Sequence, residues 1–424
     1  MATQQDANLV RRLQNIAHLV LVLSGKGGVG KSSVSVQLAL SLLASDPTLR
    51  IGLLDVDLTG PSLPRMLGME GRDVHASTDG WVPVYLDART ALARADERGL
   101  ATGATAEGAA QGDAGAAASA PAAESTAFPE ASTPSSASAP PPPPVASTSS
   151  APTSTSARDT ASGGLLACMS IGFLLASSRE SVVWRGPKKN AMIKQFLAEV
   201  RWGELDYLIV DTPPGTSDEH ISLLESLRPL LLPPTPTSPP LPTLSSLLVS
   251  TPQALALLDV SKELSFVRRT QLPLLGLVEN MSGYVCPHCG DVVGVFGQGG
   301  AEDFCRKEEE RKDSTVEGEG GGCRFLGRVP IDRELVQLLD DVAAEGAPEA
   351  APSGTNGEGA AQGSTADAAG GRRRTLVERY QAIPSFPIVR KIAEQVKGLI
   401  EEQVRKEEGE GRRLVAVERR RIRG

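Results

Sequence analysis

Aromatic residues and long apolar runs are both scarce in this chain of 424 residues. Phe, Trp and Tyr make up 4% of it, while 43 Gly and 31 Pro gather in a few stretches that lack large core-forming side chains. The longest apolar run, GGLLACMSIGFLLA, is shorter than the roughly 20 residues of a membrane-spanning helix. The first residues also lack the apolar segment of a secretory signal. We therefore expect a cytoplasmic protein with no membrane partner.

The chain also lacks an excess of basic charge and an even set of cysteines. Its 43 basic and 51 acidic residues give a net charge of -8, which provides no global attraction to nucleic acid, and we expect no such partner. Five cysteines without a secretory signal argue against a disulfide framework and favour metal-binding or redox roles for clustered thiols. Cys168 lies in an apolar run and is predicted to be a buried core thiol.

Low-complexity stretches divide the sequence. Such stretches cannot bury enough apolar surface to offset the loss of conformational entropy, so we predict three disordered inserts. They are an Ala/Ser/Pro-rich insertion at 91–163, a charged, Gly-rich insert at 306–322 and a third insert at 345–374. The remainder forms a discontinuous core, residues 1–90 and 164–344, and a C-terminal helix with a charged tail, residues 375–424. The Pro-rich stretch RPLLLPPTPTSPPLP is predicted to continue neither a helix nor a central strand.

Short apolar runs alternate with helical patterns through the core. The runs are HLVLVLSG, LRIGLLDVD, LDYLIVDTPPG, LSSLLVST, LPLLGLVENMSG and CRFLGRVP. Each suits a strand that is buried on both faces. Strands that alternate with helices predict an α/β fold, in which one mostly parallel sheet is covered by helices on both faces. In such sheets the functional side chains lie at the carboxyl ends of the strands.

A glycine-rich loop follows the first of these runs. SGKGGVGKSS contains Gly25-x4-Gly30-Lys31-Ser32, the phosphate-loop pattern of P-loop NTPases. Its glycines allow backbone N–H groups to surround phosphate oxygens, Lys31 is placed to bridge the terminal phosphates, and the Ser32 hydroxyl can ligate Mg²⁺. The predicted nucleotide-binding residues of this loop are Gly25, Lys26, Gly27, Gly28, Val29, Gly30, Lys31, Ser32 and Ser33.

Carboxylates end two of the other predicted strands. Asp55 and Asp57 follow LRIGLL, where a D-x-D beyond a phosphate loop is well placed for Mg²⁺ or for an attacking water. Asp211 ends an apolar strand and is predicted to hold the water shell of the metal, so that Ser32 and Asp211 together form the magnesium site.

The second lysine of the loop, Lys26, makes it resemble the deviant loop KGGVGK[ST] of the MinD/ParA/Mrp class of P-loop ATPases. The resemblance implies that ATP is bound, that Lys26 reaches the nucleotide of a partner subunit and that the working unit is a dimer. It also implies that Asp57 is the aspartate needed for hydrolysis. The catalytic residues predicted for a weak ATPase are then Lys26, Lys31, Asp57 and Asp211.

Further stretches resemble the Mrp/Nbp branch of this class, the nucleotide-binding scaffolds of iron-sulfur cluster assembly. They are LLDVDLTGPSLPRMLG, WRGPKKNAMIKQFL, DYLIVDTPPGTSDEHISL, TPQALALLDVSKELSF, ENMSGYVCPHCG and FLGRVPIDREL. The resemblance implies that Asn280 lies at the adenine and that Cys286 and Cys289 hold a 4Fe-4S cluster, which is passed to cytosolic and nuclear apoproteins. Because no cysteine precedes Leu19, the chain is most similar to the smaller, Cfd-type member. Its implied partner is the larger Nbp-type subunit, which carries an N-terminal iron-sulfur cluster, or a second copy.

The residues alone leave several interpretations of Cys286-Pro-His-Cys289 open. Cys305 and Cys323 could complete a zinc site, although their spacing is not that of a second C-x-x-C pair. A redox pair would be expected to open a helix, and the residues that follow Cys289 have no helical pattern. Symmetric pairing of two subunits would instead bring together four thiolates.

A positioning or partition ATPase that cycles on a membrane or on DNA is the alternative function. Such proteins use a C-terminal amphipathic helix or a basic patch. The C-terminal segment has helical periodicity and basic residues, but acidic residues interrupt any basic face. We therefore expect a packing helix there, followed by a charged tail.

Overall fold

Strands and helices alternate along the chain, as the apolar runs predict. The computed structural model describes residues 4–58, 60–87, 164–175, 186–231, 241–285, 288–289, 291–297, 299–314, 322–346 and 374–409. The strands are β1 Ile16–Leu23, β2 Arg50–Asp55, β3 His75–Ser77, β4 Gly80–Val82, β5 Val84–Asp87, β6 Leu165–Ser170, β7 Leu205–Asp211, β8 Thr243–Ser250, β9 Leu274–Val285, β10 Val292–Val293 and β11 Phe325–Ile331. The helices are α1 Gln4–Leu13, α2 Lys31–Ser45, α3 Leu63–Met66, α4 Gly186–Glu199, α5 Asp218–Leu231, α6 Ala254–Arg269, α7 Gly300–Ser314, α8 Arg333–Gly346, α9 Leu376–Gln381 and α10 Phe386–Gly409.

Nine strands form one mostly parallel sheet. Its order is β10-β9-β8-β1-β7-β2-β6-β5, and β11 pairs with β9. The pairs β1–β7, β1–β8, β2–β6, β2–β7, β8–β9 and β9–β11 are parallel, whereas β5 and β10 pair antiparallel to their neighbours. The predicted α/β class is confirmed. The order places the carboxyl ends of β1, β7 and β2 side by side at the centre of the sheet.

Helices cover both faces of this sheet, because successive side chains of a strand point to opposite faces. In β1, Val20 and Val22 pack in a core with α2, α8, α9 and α10. Leu19, Leu21 and Leu23 pack in a second core with α1, α4, α5, α6 and α7. A strand buried on both faces needs a continuous apolar run, which is what IAHLVLVL provides.

The charged stretch predicted as an insert at 306–322 is helical up to Ser314, so that prediction is wrong in its first half. Its charges are paired along the helix: Arg306 lies 2.7 Å from Asp303, and Arg311 lies 2.7 Å from Glu308. Glu308 also forms an ion pair with Arg268 of α6 at 2.9 Å. Charges of alternating sign at this spacing support a helix, whereas the sequence was interpreted as low-complexity.

Three further details differ from the sequence-based expectations. Helix α5 continues through Pro229, which lies in its last turn, and ends at Leu231. The run GGLLACMS, which was not predicted as a strand, forms β6 between β2 and β5. Helix α8 extends to Gly346, two residues past the predicted core boundary. The predicted insertion at 91–163 lies outside the described residues, as does 347–373 of the third insert.

Candidate functional site

The phosphate loop joins β1, a central strand, to α2. Gly28 and Gly30 have φ values of 78° and 80°, in the left-handed region that favours glycine. Helix α2 begins at Lys31, directly after the loop. The unpaired N–H groups and the dipole of a helix N-terminus favour a bound anion, so the local fold suits a phosphate.

A cavity of about 190 Å³ opens at this loop. Every residue from Lys26 to Ser33 lines it, and Ser24, Asp57, Ser62, Met66 and Pro214 complete the lining. The predicted residues of the loop therefore surround a single cavity, with Asp57 also in its wall. Gly25 has a packing role instead, because a Cβ at this position would lie 2.5 Å from the carbonyl carbon of Asp259 in α6.

Asp211, at the carboxyl end of β7, is fully buried beneath the loop. Its carboxylate accepts hydrogen bonds from Lys31 Nζ at 2.6 Å, Ser32 Oγ at 2.5 Å and Ser35 Oγ at 3.1 Å. A buried carboxylate requires such partners, and a hydroxyl beside a carboxylate is an oxygen donor set of the kind that Mg²⁺ prefers. The side chains of Ser32 and Asp211 therefore fit the predicted magnesium site.

Asp55 is a site residue for which the D-x-D pattern predicts no role separate from that of Asp57. It pairs in register with Asp211 on the neighbouring strand. Its carboxylate accepts hydrogen bonds from the backbone N–H groups of Asp57 at 3.1 Å and Ser62 at 3.2 Å, and from Ser170 Oγ at 3.1 Å. Burial, followed by the charge of Asp211, raises the pKa of Asp55 to about 8 against the opposing charge of Lys31. Asp55 thus fastens both ends of the loop that carries Asp57.

Lys26 lies at the side of the loop that faces α6. Its Nζ is 3.4 Å from Oε1 of Gln253, the residue before α6. The side chain is half-buried. This contact places the second lysine within the subunit, and its predicted reach toward a partner nucleotide stays a prediction.

Asn280 contacts the phosphate loop directly. Its side-chain Nδ2 donates to the carbonyl oxygen of Val29 at 2.8 Å, and the residue is 6% exposed. A Cβ at Gly30 would clash with the same nitrogen, so the glycine leaves room for the asparagine. The predicted contact with adenine stays a prediction, while the contact with the loop is a feature of the fold.

The cysteines fall into two groups. Cys289 is exposed, whereas Cys168, Cys305 and Cys323 are buried, as predicted for Cys168. Cys305 and Cys323 contact each other with their sulfur atoms 3.3 Å apart. Within the described ranges no three Cys, His, Asp or Glu residues are grouped for a metal. Cys286 lies outside the described residues.

Helix α10 provides the test of the alternative function. Its apolar side is buried in the core that contains α2, through Val389, Ile392, Ala393, Val396 and Ile400. That side is therefore not available for a membrane, and the packing helix expected from the sequence is present. Of the helices in the described ranges, none has the length and apolarity needed to cross a bilayer.

Together, the parallel sheet, the glycine loop that leads into α2 and the buried Asp211 beside Lys31 and Ser32 define a P-loop nucleotide-binding protein. Comparison with known proteins identifies the family within this class. The family described as NUBPL iron-transfer P-loop NTPase matches residues 15–93 and 148–354. The chain belongs to this family, which confirms the resemblance.

Curated relatives support the same assignment. The cytosolic Fe-S cluster assembly factor CFD1 of Mycosarcoma maydis is 45% identical over 79% of this chain and 67% of its own length. The CFD1 protein of Yarrowia lipolytica is 40% identical over 80% of this chain and 81% of its own length. The human cytosolic Fe-S cluster assembly factor NUBP2 is 39% identical over 78% of this chain and 84% of its own length.

Proposed function

We propose that this chain is an ATP-dependent scaffold of cytosolic iron-sulfur cluster assembly. In this role it holds a 4Fe-4S cluster at a subunit interface and passes it to cytosolic and nuclear apoproteins. The observation that carries the proposal is the arrangement at the end of β9. There Asn280 contacts the phosphate loop, and the same strand leads, nine residues later, to the exposed thiol of Cys289. The names of the relatives, cytosolic Fe-S cluster assembly factors, support it.

The phosphate loop is proposed to bind ATP with Mg²⁺. Lys31 carries the positive charge that contacts the terminal phosphates, and Ser32 and Asp211 hold the metal, which neutralises phosphate charge when bound. Asp57, in the wall of the cavity, orients the attacking water in slow hydrolysis. The carboxylate of Asp55 positions this loop through the backbone N–H groups of Asp57 and Ser62.

The cluster is the cargo of the scaffold and not a resident cofactor, because a scaffold must release what it assembles. Cys286 and Cys289 supply two thiolates from each chain, and pairing about a two-fold axis supplies the four that a 4Fe-4S cluster takes. The exposure of Cys289 supports ligation at a surface rather than in the core. Lys26 of each subunit is proposed to sense the nucleotide of the other. The partner is the larger Nbp-type subunit or a second copy, with a heterotetramer as one form of the assembly.

Anaerobic purification tests the proposal. We expect the wild-type protein, with or without the co-expressed larger subunit, to contain iron and acid-labile sulfide and to be brown. Cys289→Ser should lose most of the iron, whereas Cys168→Ser, a matched change at a buried thiol, should keep it. Undiminished iron in Cys289→Ser, or zinc in place of iron in the wild type, would reject the scaffold role.

A further inference from the structure

Residues Glu279–Ser282 of β9 directly precede the cysteine segment, the name used here for the chain from Gly283 to Gly299. One of the four residues, Asn280, contacts the phosphate loop. Asn280 is fixed on the nucleotide side by its hydrogen bond to the Val29 carbonyl. Met281, which also lies close to Gly30, has a φ of 56°, a left-handed conformation that is uncommon for a residue with a side chain. Strain of this kind persists only where neighbouring contacts hold it, and it gathers at functional sites.

The pairing of β9 with β11 is irregular at the same place. Val329 pairs with Asn280 and Ile331 pairs with Tyr284. The pairing therefore advances by four positions along β9 but by only two along β11. A bulge of this kind bends a strand and redirects its side chains. Here it separates the part of β9 that contacts the phosphate loop from the part that leads into the cysteine segment.

Glu279 accepts hydrogen bonds from residues before and after that segment. Its carboxylate is fully buried and accepts hydrogen bonds from Ser282 Oγ on one side, and from the N–H groups of Gly299 at 3.2 Å and Ala301 at 2.8 Å on the other. Arg328 Nε lies 3.7 Å away. All of these groups are donors, so the carboxylate is the common acceptor that keeps the start and the end of the segment together.

Neighbouring residues of one strand therefore hold two different parts of the protein. Asn280 holds Val29 of the phosphate loop, and Glu279 holds Ser282 and the first turn of α7, with Cys289 on the chain between them. A displacement of Val29 would move Asn280, and the peptide bond between Asn280 and Glu279 would transmit this movement to the carboxylate of Glu279. Coupling between sites can be carried by a contiguous network of hydrogen bonds, and this stretch of β9 has the contacts for one.

We propose that Glu279 is the positioning residue that couples the nucleotide site to the cysteine segment. Through it, nucleotide binding at the phosphate loop changes the reactivity and accessibility of Cys289. The inference rests on the proposed function for its purpose, since a scaffold needs its nucleotide to control loading or release. The coupling itself involves only residues of this chain and can be measured without iron.

The experiment measures the alkylation rate of Cys289 in the iron-free, reduced full-length protein, by peptide mass spectrometry. Rates are compared with and without a saturating non-hydrolysable ATP analogue and Mg²⁺. In the wild type the analogue should change the rate by about fivefold or more, in the range of typical coupling energies. In Glu279→Gln the ratio should fall to about one, while the affinity for the analogue stays within about twofold of wild type.

Glu263→Gln is the matched control, because Glu263 is also a fully buried carboxylate of the same core, and neither of its oxygens has a hydrogen-bond partner in the structure described. It should keep the wild-type ratio. Ser282→Ala, which removes a single donor, keeps the test available if Glu279→Gln does not fold, and should lower the ratio in part. A wild-type ratio in Glu279→Gln or Ser282→Ala, or no response in the wild type, overturns the inference. Because the protein is iron-free, these outcomes are independent of whether the chain is a scaffold.

Discussion

Replacing Glu263 by Met should stabilise the protein, and more so as the pH rises. Glu263 lies on the buried side of α6, between Val260 and Leu264 in the sequence and with 0% exposure. Neither carboxyl oxygen has a hydrogen-bond partner among the described residues. Burying a charge without a partner is costly, so the group favours its neutral form in the folded protein.

The size of the effect follows from the pKa of Glu263, which burial raises from 4.5 to about 7. Between these two values the folded state binds more protons than the unfolded state, so the free energy of unfolding falls as the pH rises through this window. The cost is small at pH 5 and nearly complete at pH 8, a difference of about 2.5 kcal/mol. Methionine has a similar shape and no charge, so it should remove this cost.

Urea unfolding of wild type and Glu263→Met at pH 5, 6, 7 and 8 measures the difference. The gain in free energy of unfolding should grow by about 2.5 kcal/mol from pH 5 to pH 8, with unchanged m-values. Glu225→Met, at an exposed position of α5, is the control and should show no such trend. A gain that is independent of pH would contradict this prediction, because it would mean that the pKa of Glu263 is the same in the folded and unfolded states.

Three other outcomes follow from the site. Gly28→Ala should lower the free energy of unfolding by about 1 kcal/mol, the cost of a side chain at positive φ. Gly30→Ala should lower it by at least about 1 kcal/mol more, because its Cβ also clashes with the side chain of Asn280. Equal losses for the two variants in urea unfolding would contradict this. Lys31→Ala should abolish ATP binding in calorimetry and destabilise the protein by about 3 kcal/mol, because it leaves the buried carboxylate of Asp211 without its charged partner; retained affinity would contradict it. Alkylation of the folded protein should modify the exposed Cys289 rapidly. The buried thiols should stay unmodified until the protein unfolds, and they are Cys168, Cys305 and Cys323. Fast labelling of any of these buried thiols would contradict their burial.

Local pattern was sufficient to predict most of the sheet and the phosphate loop. Strands such as β1 and β7 are mostly apolar because both of their faces are buried, and the loop follows from the spacing of its glycines before Lys31 and Ser32. Strand β6 was missed because it lies next to a low-complexity stretch, which made the run resemble a boundary. Helix α7 was missed in part because its charges are paired in three dimensions, partly with Arg268 of another helix.

The parts of the site that the sequence did not reveal depend on tertiary contacts. Asp55 was visible as half of a D-x-D motif, but the hydrogen bond that it accepts from Ser170 joins residues that are far apart in the chain. Glu279 precedes Asn280 in the motif ENMSG and gave no separate signal. The proposed role depends on the backbone N–H groups of Gly299 and Ala301, which donate hydrogen bonds to the carboxylate of Glu279. A single sequence does not show contacts between residues that are this far apart in the chain.

Two chains are proposed to share one cluster, held by the Cys286/Cys289 pair of each. Native mass spectrometry of the anaerobically purified protein, with and without the larger subunit, measures whether they do. We predict four iron and four sulfide atoms for each pair of chains, as four thiolates of two Cys286/Cys289 pairs require. A full cluster on a single chain, or a dimer without iron in which each chain holds one zinc ion, would contradict the account.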